Sequence, residues 1–251
     1  MRLLRIFASA AVCALAASTL AAHPAWGTQP FANAIWRMDP HGHVTYVVRP
    51  ATTLGRGMSI WKDRNGNTYS VEENNHRRRE TLIVKRDATG AVRVLAGSQY
   101  GHADGAGQRA RFANIVALTF GPDSSLYVTD DSSVRRVSLS GVVTTLATGL
   151  DAPDKNSLSF GNLMGIAVSR TNDVYVADFR NRRVLKLDPN GRSSVMVRSA
   201  PPWLPTGVAV GPAGDLYVLE FGFEPPKTWI KPRVRKVSRD GVALIVAIVS
   251  R

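Results

Sequence analysis

The stretch "DSSLYVTDDSSVRRVSLSGVVTTLA", residues 123–147, joins a polar turn, a Tyr-Val run ending in an acid, and a basic–hydrophobic alternation followed by a glycine. The same order returns in "NDVYVADFRNRRVLKLDPNG" (172–191) and in "GDLYVLEFGFEPPKTWIKPRVRKVSRDG" (214–241). A catalytic motif has no reason to recur in this way, whereas a structural repeat does. The repeat therefore decides the fold.

A turn glycine marks each unit and recurs every 48 to 51 residues, with an alternating run on either side. These glycines are Gly42, Gly90, Gly141, Gly191 and Gly241. Two alternating runs around a short polar turn predict a β-hairpin. The sequence thus predicts five hairpins, which end near residues 48, 97, 147, 197 and 250.

A second pair of strands precedes four of the hairpins. When the four units are aligned, three positions recur. The first is a small residue, the second a tyrosine ten positions later, and the third an acid three positions after the tyrosine. The small residues are Ser59, Ala117, Gly165 and Gly207, the tyrosines are Tyr69, Tyr127, Tyr175 and Tyr217, and the acids, which we call the acid column, are Glu72, Asp130, Asp178 and Glu220. A sheet of four short strands cannot bury both of its faces alone, so neighbouring units must pack on one another. Beyond the N-terminal segment no helical periodicity is present. The sequence predicts an all-β chain, and radial packing of such sheets gives a β-propeller.

The N-terminus, "MRLLRIFASAAVCALAASTLAA", has two arginines, an apolar run and a small-residue end. This is the outline of a secretory signal peptide, and the apolar run of about 17 residues is at the lower limit for a membrane anchor. We expect a signal peptide at 1–22 cleaved near Ala22, a lead-in at 23–33 and the propeller at 34–251. The mature chain is then periplasmic or secreted, with no transmembrane segment.

Charge and cysteine content limit the partners. The only cysteine, Cys13, lies in the signal segment, so the mature chain has no disulfide and no thiolate metal site. The net charge is +13, and removal of Arg2 and Arg5 leaves +11. Such a charge favours anionic partners. In an exported protein we expect an acidic polysaccharide, an envelope component or another protein, rather than nucleic acid. The mature chain is expected to be a monomer.

A family resemblance becomes specific at residues 95–149, "LAGSQYGHADGAGQRARFANIVALTFGPDSSLYVTDDSSVRRVSLSGVVTTLATG". This stretch resembles the NHL repeat in its DG-x-G-x-x-A-R-F lead-in, its Y-V-x-D core and its closing strand. The likeness extends over 34–251 and departs at Ile115, where the family usually has proline. The resemblance implies a propeller of the six-bladed type. Four full units and a leading hairpin predict five or six blades.

The chain is also distantly similar to the SMP-30/gluconolactonase and streptogramin-lyase propellers. The first group implies a divalent cation held by Glu, Asn and Asp, but the positions matching one ligand column are Met58, Val116, Met164 and Thr206. Asp178 alone matches a ligand column. The lyases depend on His and Glu, and the histidines here fall in no channel-facing column. No cofactor is predicted, except Ca²⁺ or another divalent cation if the chain is a lactonase-like hydrolase or a lyase.

The acid column admits two interpretations. Aspartates commonly accept backbone N–H bonds in turns, and repetition in every unit favours this structural role. The catalytic candidates are Glu72, Asp178 and Glu220, and Asp178 is the metal candidate. Glu72 and Glu220 precede the two longest strand connections, which would form the walls of a site.

These two connections also carry basic clusters, "NNHRRRE" and "KTWIKPRVRK". Both lie at the same place in their units and are expected at one rim. The predicted ligand-binding rim consists of Arg77, Arg78, Arg79, Lys227, Trp229 and Lys231. The sequence favours an exported binding or scaffold module that takes an anionic glycan or envelope partner at this rim, with the cation-dependent enzyme as the alternative.

Overall fold

The computed structural model describes residues 35–38, 44–48, 60–63, 65–74, 80–153, 163–211, 213–224 and 228–248. They form β-strands and one short 3-10 turn, with no α-helix among them. The prediction of an all-β chain is confirmed. No helix in the described ranges is long and apolar enough to cross a membrane.

The described strands form one hairpin and four antiparallel sheets. The hairpin pairs β1 (Ile35–Met38) with β2 (Val44–Val48). Sheet 1 has the order β3 (Ile60–Lys62), β4 (Thr68–Asn74), β5 (Glu80–Arg86), β6 (Val92–Gln99). Sheet 2 has the order β8 (Ile115–Phe120), β9 (Ser125–Asp130), β10 (Ser133–Ser138), β11 (Val142–Ala147), and β7 (Gly105–Ala106) pairs with the outer edge of β11.

Sheets 3 and 4 repeat the same order. Sheet 3 consists of β12 (Leu163–Val168), β13 (Val174–Asp178), β14 (Arg183–Leu187) and β15 (Ser193–Arg198). Sheet 4 consists of β16 (Trp203–Val210), β17 (Leu216–Glu224), β18 (Thr228–Val237) and β19 (Ala243–Ile248). The number of blades and the closure of the ring stay predictions.

The hydrophobic core lies between successive sheets. Tyr69 and Ile83 of sheet 1 pack with Ile115 of sheet 2. Tyr127 of sheet 2 packs with residues of sheet 3, and Tyr175 of sheet 3 packs with residues of sheet 4. Burying one large aliphatic side chain contributes about 1.5–3 kcal/mol. The repeat is therefore stabilised by contacts between units, as expected for a stacked array.

The first strands of neighbouring sheets approach each other most closely at the small-residue column. β12 contacts β8 on one side and β16 on the other. A Cβ at Gly165 would lie 2.7 Å from Gly207 Cα and 3.0 Å from Thr206 O, closer than atoms normally pack. A side chain at this position would separate β12 from β16. The column is small because the inner strands converge there.

The turn glycines have a backbone explanation. Gly90, Gly141, Gly191 and Gly241 have φ values of +83° to +92°, a region that glycine adopts without a steric penalty. A Cβ at Gly141 would also lie 2.3 Å from Leu95 O on the preceding sheet. The glycine thus closes its own hairpin in each unit, and at Gly141 and Gly191 it also lets that hairpin touch the preceding sheet.

We predict that Gly165→Ala destabilises the protein by about 2–3 kcal/mol, because the added methyl group clashes with backbone atoms that cannot move aside. Thermal unfolding measures this effect. The control is Gly107→Ala, at a φ of +58° with open space around the Cβ, which should cost only about 1 kcal/mol for the backbone strain. Equal losses in the two variants would contradict the close approach of β12 and β16.

Candidate functional site

The candidate site lies at one end of the sheets, which we call the loop face. It is the end at which the second strand of each sheet finishes and the first strand begins. In sheets 1 and 4 the second and third strands extend past the acid column, to Asn74 opposite Glu80 and to Glu224 opposite Thr228. The two longest connections of the sequence are therefore extended hairpins at the loop face.

The acid of sheet 2, Asp130, is fully buried and meets both backbone donors and an arginine. Its Oδ1 accepts hydrogen bonds from the backbone N–H groups of Ala113 and Asn114, each at 2.8 Å. Its Oδ2 accepts one from Arg135 Nη1 at 3.0 Å. Arg135 also donates to the carbonyl oxygens of Ala103 and Arg111 at 2.6 Å, so this pair holds the preceding connection against the sheet.

The acids of sheets 3 and 4 are equally buried and also meet arginines. Asp178 Oδ2 accepts hydrogen bonds from Arg183 Nε at 2.7 Å and from the Asn181 side chain at 2.7 Å. Glu220 accepts hydrogen bonds from Arg233 and Arg235 at 2.6–2.9 Å. A buried ion pair of this kind leaves an uncompensated charge when one partner is removed, which costs about 3–5 kcal/mol.

Glu72 of sheet 1 has a different environment. On β5, Leu82 lies opposite Glu72, at the place that Arg183 occupies in sheet 3. Val84 lies opposite Ser70, at the place that Arg135 occupies in sheet 2. Glu72 is half-buried, whereas the other three acids are fully buried. The three catalytic candidates thus lie at the same end of separate sheets. Asp178 and Glu220 are bound to arginines there.

The structural role expected for the acids, which is to accept backbone N–H bonds in turns, accounts for only part of their contacts. Asp178 accepts a backbone N–H from Asn181 in the turn that follows its strand, at 3.2 Å. Asp130 takes its backbone donors from the connection before β8 instead, and the Glu220 carboxylate accepts from side chains. Arginine is the shared partner. Its signal in the sequence was the basic–hydrophobic alternation "VRRV", "RRVL" and "RVRK".

The predicted rim lies largely outside the described residues. This is the case for Arg77, Arg78, Arg79 and Lys227, and also for the signal segment 1–22, the lead-in 23–33 and Met58. Trp229 and Lys231 belong to β18, where the structure describes the backbone and not their side chains. The rim stays a prediction.

Three described positions match a cation-ligand position of the SMP-30/gluconolactonase propellers, and they lie where the pairing of the inner strands is irregular. The strand register shifts between Ile115 and Ala117, between Leu163 and Ile166, and between Pro205 and Gly207. Val116, Met164 and Thr206 fall within these shifts, and the Thr206 hydroxyl donates to Leu219 O at 3.3 Å. In the described part of the chain, no three His, Cys, Asp or Glu side chains are grouped to hold a metal ion.

Asp151 is an acid outside the repeat columns that the sequence reasoning missed. It follows Leu150, whose backbone N–H donates to Ser132 O at 2.9 Å, so the connection lies against the β9–β10 turn. Burial and the nearby carboxylates of Asp131 and Asp178 raise the pKa of Asp151 above its ordinary value. A carboxyl group that stays protonated to higher pH is able to act as a general acid.

His102 lies beside the same group of carboxylates. Its Nδ1 is 3.5 Å from Asp130 Oδ2, its Nε2 is 3.8 Å from Asp131 Oδ2, and the side chain is 48% exposed. Asp131 has a φ of +53°, which is uncommon for a residue other than glycine. Repeat columns could not reveal His102 or Asp151, because both lie in connections between units. We call His102, Asp131 and Asp151 the acid–base group.

Comparisons with known proteins support the fold. No protein-family model and no curated protein matches the chain. A streptogramin B lyase is 15% identical with a TM-score of 0.55, over 88% of this chain and 63% of that one. A Xanthomonas campestris gluconolactonase is 20% identical with a TM-score of 0.54, over 84% of this chain and 67% of that one.

A catalytically inactive histidine-to-alanine variant of virginiamycin B lyase from Staphylococcus aureus, solved with quinupristin, is 16% identical. Its TM-score is 0.51, over 85% of this chain and 62% of that one. The chain thus spans less than two thirds of the lyase structures. At these identities the likeness shows the fold alone: the protein has a propeller-type fold, distantly similar to lyase and gluconolactonase propellers.

We predict that calcium leaves the thermal midpoint unchanged to within about 1 °C relative to a chelator, because the matching ligand positions hold Val116, Met164 and Thr206. A cation at about 100 times its dissociation constant would add about 2.7 kcal/mol, a shift of several degrees. A reproducible rise with calcium would contradict this prediction and favour a cation-dependent site.

We predict that Asp151→Asn raises the thermal midpoint by about 2 °C at pH 7 and leaves it unchanged near pH 3.5. A raised carboxyl pKa gives stability that is present below the unfolded-state pKa and is lost as the pH rises through the folded-state pKa. Asparagine does not ionise, so the Asp151→Asn variant does not lose this stability as the pH rises. Asp173→Asn is the control, because Asp173 pairs with Lys186 Nζ at 3.2 Å and its removal should not stabilise. A pH-independent gain for Asp151→Asn would refute the pKa assignment.

Proposed function

We propose that the protein is an enzyme that opens a cyclic ester of a small molecule on its loop face, with His102 and Asp151 of the acid–base group as its catalytic residues. The observation that carries this proposal is that Asp131 lies 3.8 Å from His102 Nε2, while its charge and that of Asp178 add to burial in raising the pKa of Asp151. Perturbed carboxyl groups next to a histidine are typical of catalytic sites.

The chemistry needs a proton acceptor and a proton donor. In hydrolysis the acceptor takes a proton from water, which attacks the carbonyl carbon, and the donor protonates the oxygen that leaves. In elimination the acceptor takes a proton from carbon, and the C–O bond breaks to leave a carboxyl group and a double bond. His102 is the proposed acceptor, since its ring is about half exposed. Asp151 is the proposed donor.

Asp131 acts as a positioning residue in this proposal. Its carboxylate faces His102 Nε2 at 3.8 Å, and its charge adds to burial in raising the pKa of Asp151. Asp130, which is buried and bonded to Arg135, faces the Nδ1 atom of His102.

The named functions of the structural neighbours support cyclic esters as the class to test. One is a streptogramin B lyase, one a gluconolactonase, and one a virginiamycin B lyase inactivated by loss of a histidine. The same proposal keeps the signal peptide and export, so that the site works outside the cytoplasm. A partner bound at the predicted rim is compatible with it.

We predict turnover of δ-gluconolactone or of quinupristin by the mature chain. Proton release measures lactone hydrolysis, and mass spectrometry of quinupristin separates hydrolysis, which adds one water, from elimination, which leaves the mass unchanged. His102→Asn and Asp151→Asn should each lower kcat/KM at least about 100-fold, because each removes one proton-transfer step.

Asp173→Asn is the matched control, since Asp173 lies at the opposite end of β13 from Asp178. It should keep full activity. The proposal fails if neither substrate is turned over, or if both variants of the acid–base group retain wild-type kcat/KM.

A further inference from the structure

A second polar group occupies the loop face where sheets 3 and 4 meet. We call Arg182, Arg233 and Arg235, together with Glu220 and Trp203, the arginine cluster. Arg182 Nη1 donates to the Trp203 carbonyl oxygen at 3.0 Å. The Arg233 guanidinium stacks on the Trp203 ring at 3.9 Å from its centroid. Trp203 therefore joins two arginines that come from different sheets.

Arg182 carries a charge without a matching carboxylate. Of its five N–H donors, one is used within the described residues, on Trp203 O, and no carboxylate there lies at ion-pair distance. The side chain is half-buried, and this burial lowers the pKa of Arg182 with no acid to offset it. A partly desolvated cation without a counter-charge is unfavourable unless an anion joins it.

The backbone at Arg182 also departs from what stability alone would select. Its φ is +52°, in the left-handed region that glycine and asparagine adopt more easily than arginine. The segment is fixed there, because the Ser199 backbone N–H donates to the Arg182 carbonyl oxygen at 2.7 Å. Strained residues that persist in a fixed position are often functional.

The charges of the cluster do not balance. Glu220 is its one carboxylate and is shared by Arg233 and Arg235, whose side chains are 15% and 12% exposed. The cluster therefore contains three guanidinium groups and one carboxylate, and two positive charges lack a partner within it. The hydrogen bond of Arg233 to Glu220 uses Nε, and among the described residues neither of its Nη atoms has a hydrogen-bond partner.

We propose that the arginine cluster binds the oxyanion group of a small molecule, a carboxylate or a phosphate, with Arg182 as the main ligand. Guanidinium groups bind such groups through two parallel hydrogen bonds, which Arg182 is free to make. The cluster lies on the same face as the acid–base group, and its role as an anion site does not require turnover.

Isothermal titration at constant ionic strength tests this site with D-gluconate and with inorganic phosphate, against chloride as the reference anion. Wild-type protein should bind at least one of the two oxyanions. Binding of gluconate alone identifies a carboxylate site, and binding of phosphate alone identifies a phosphate site.

Arg182→Asn is the decisive variant. Asparagine accepts the left-handed backbone, so the thermal midpoint should be equal to or higher than that of the wild type, while the dissociation constant rises at least about tenfold. Arg182→Lys keeps the charge but loses the planar fork, and should weaken binding by a smaller factor. If the asparagine variant fails to fold, the lysine variant still tests the site.

Arg170→Asn is the control, because Arg170 is exposed in the turn before β13, away from the loop face. It makes the same change in net charge and should bind like the wild type. The inference is overturned if neither oxyanion binds in preference to chloride, if Arg182→Asn and Arg182→Lys both bind as the wild type does, or if Arg170→Asn loses as much affinity as Arg182→Asn.

Discussion

A carboxylate withdrawn from water must meet a cation or several hydrogen-bond donors, and this requirement organises the loop face. Asp130, Asp178 and Glu220 are each fully buried at the end of a second strand. Each one draws an arginine of the third strand over that end. The loop face is thereby fixed by strong directional contacts, and the connections that pass over it have defined places. Residues of these connections form the acid–base group and supply Arg182 to the arginine cluster.

The opposite end of the sheets uses the same residue types with a different result. There Asp123 pairs with Arg136 at 2.7 Å and Asp215 pairs with Lys236 at 2.9 Å, with the basic partners 38–47% exposed. Exposed pairs of this kind contribute at most about 1 kcal/mol each. Asp123 also accepts a hydrogen bond from the Tyr127 hydroxyl, which together with burial raises the pKa of Tyr127 to about 12. The two ends are similar in composition and differ in burial.

The repeat made the architecture predictable, but it gave no information on residues of the candidate site that lie outside the repeated positions. Periodic glycines, tyrosines and small residues indicated stacked four-stranded sheets, because each of these residues has one backbone or packing role in every unit. His102, Asp151 and Arg182 have no counterpart in other units, so no column contained them. Their placement depends on how connections cross the loop face, which local sequence does not determine. Arginine as the partner of the acid column was visible as a pattern, but its contact with a buried carboxylate required coordinates.

The outer edges of the sheets differ in how they are protected. β7 covers part of the edge of β11, whereas in the described part of the chain β19 has no strand beyond it. Val242, just before β19, and Leu244 and Ile245 within it are 54–62% exposed. An open edge with apolar side chains is a template for strand addition between molecules. A lysine introduced at Leu244 would make this edge less favourable for strand addition without touching either polar group of the loop face.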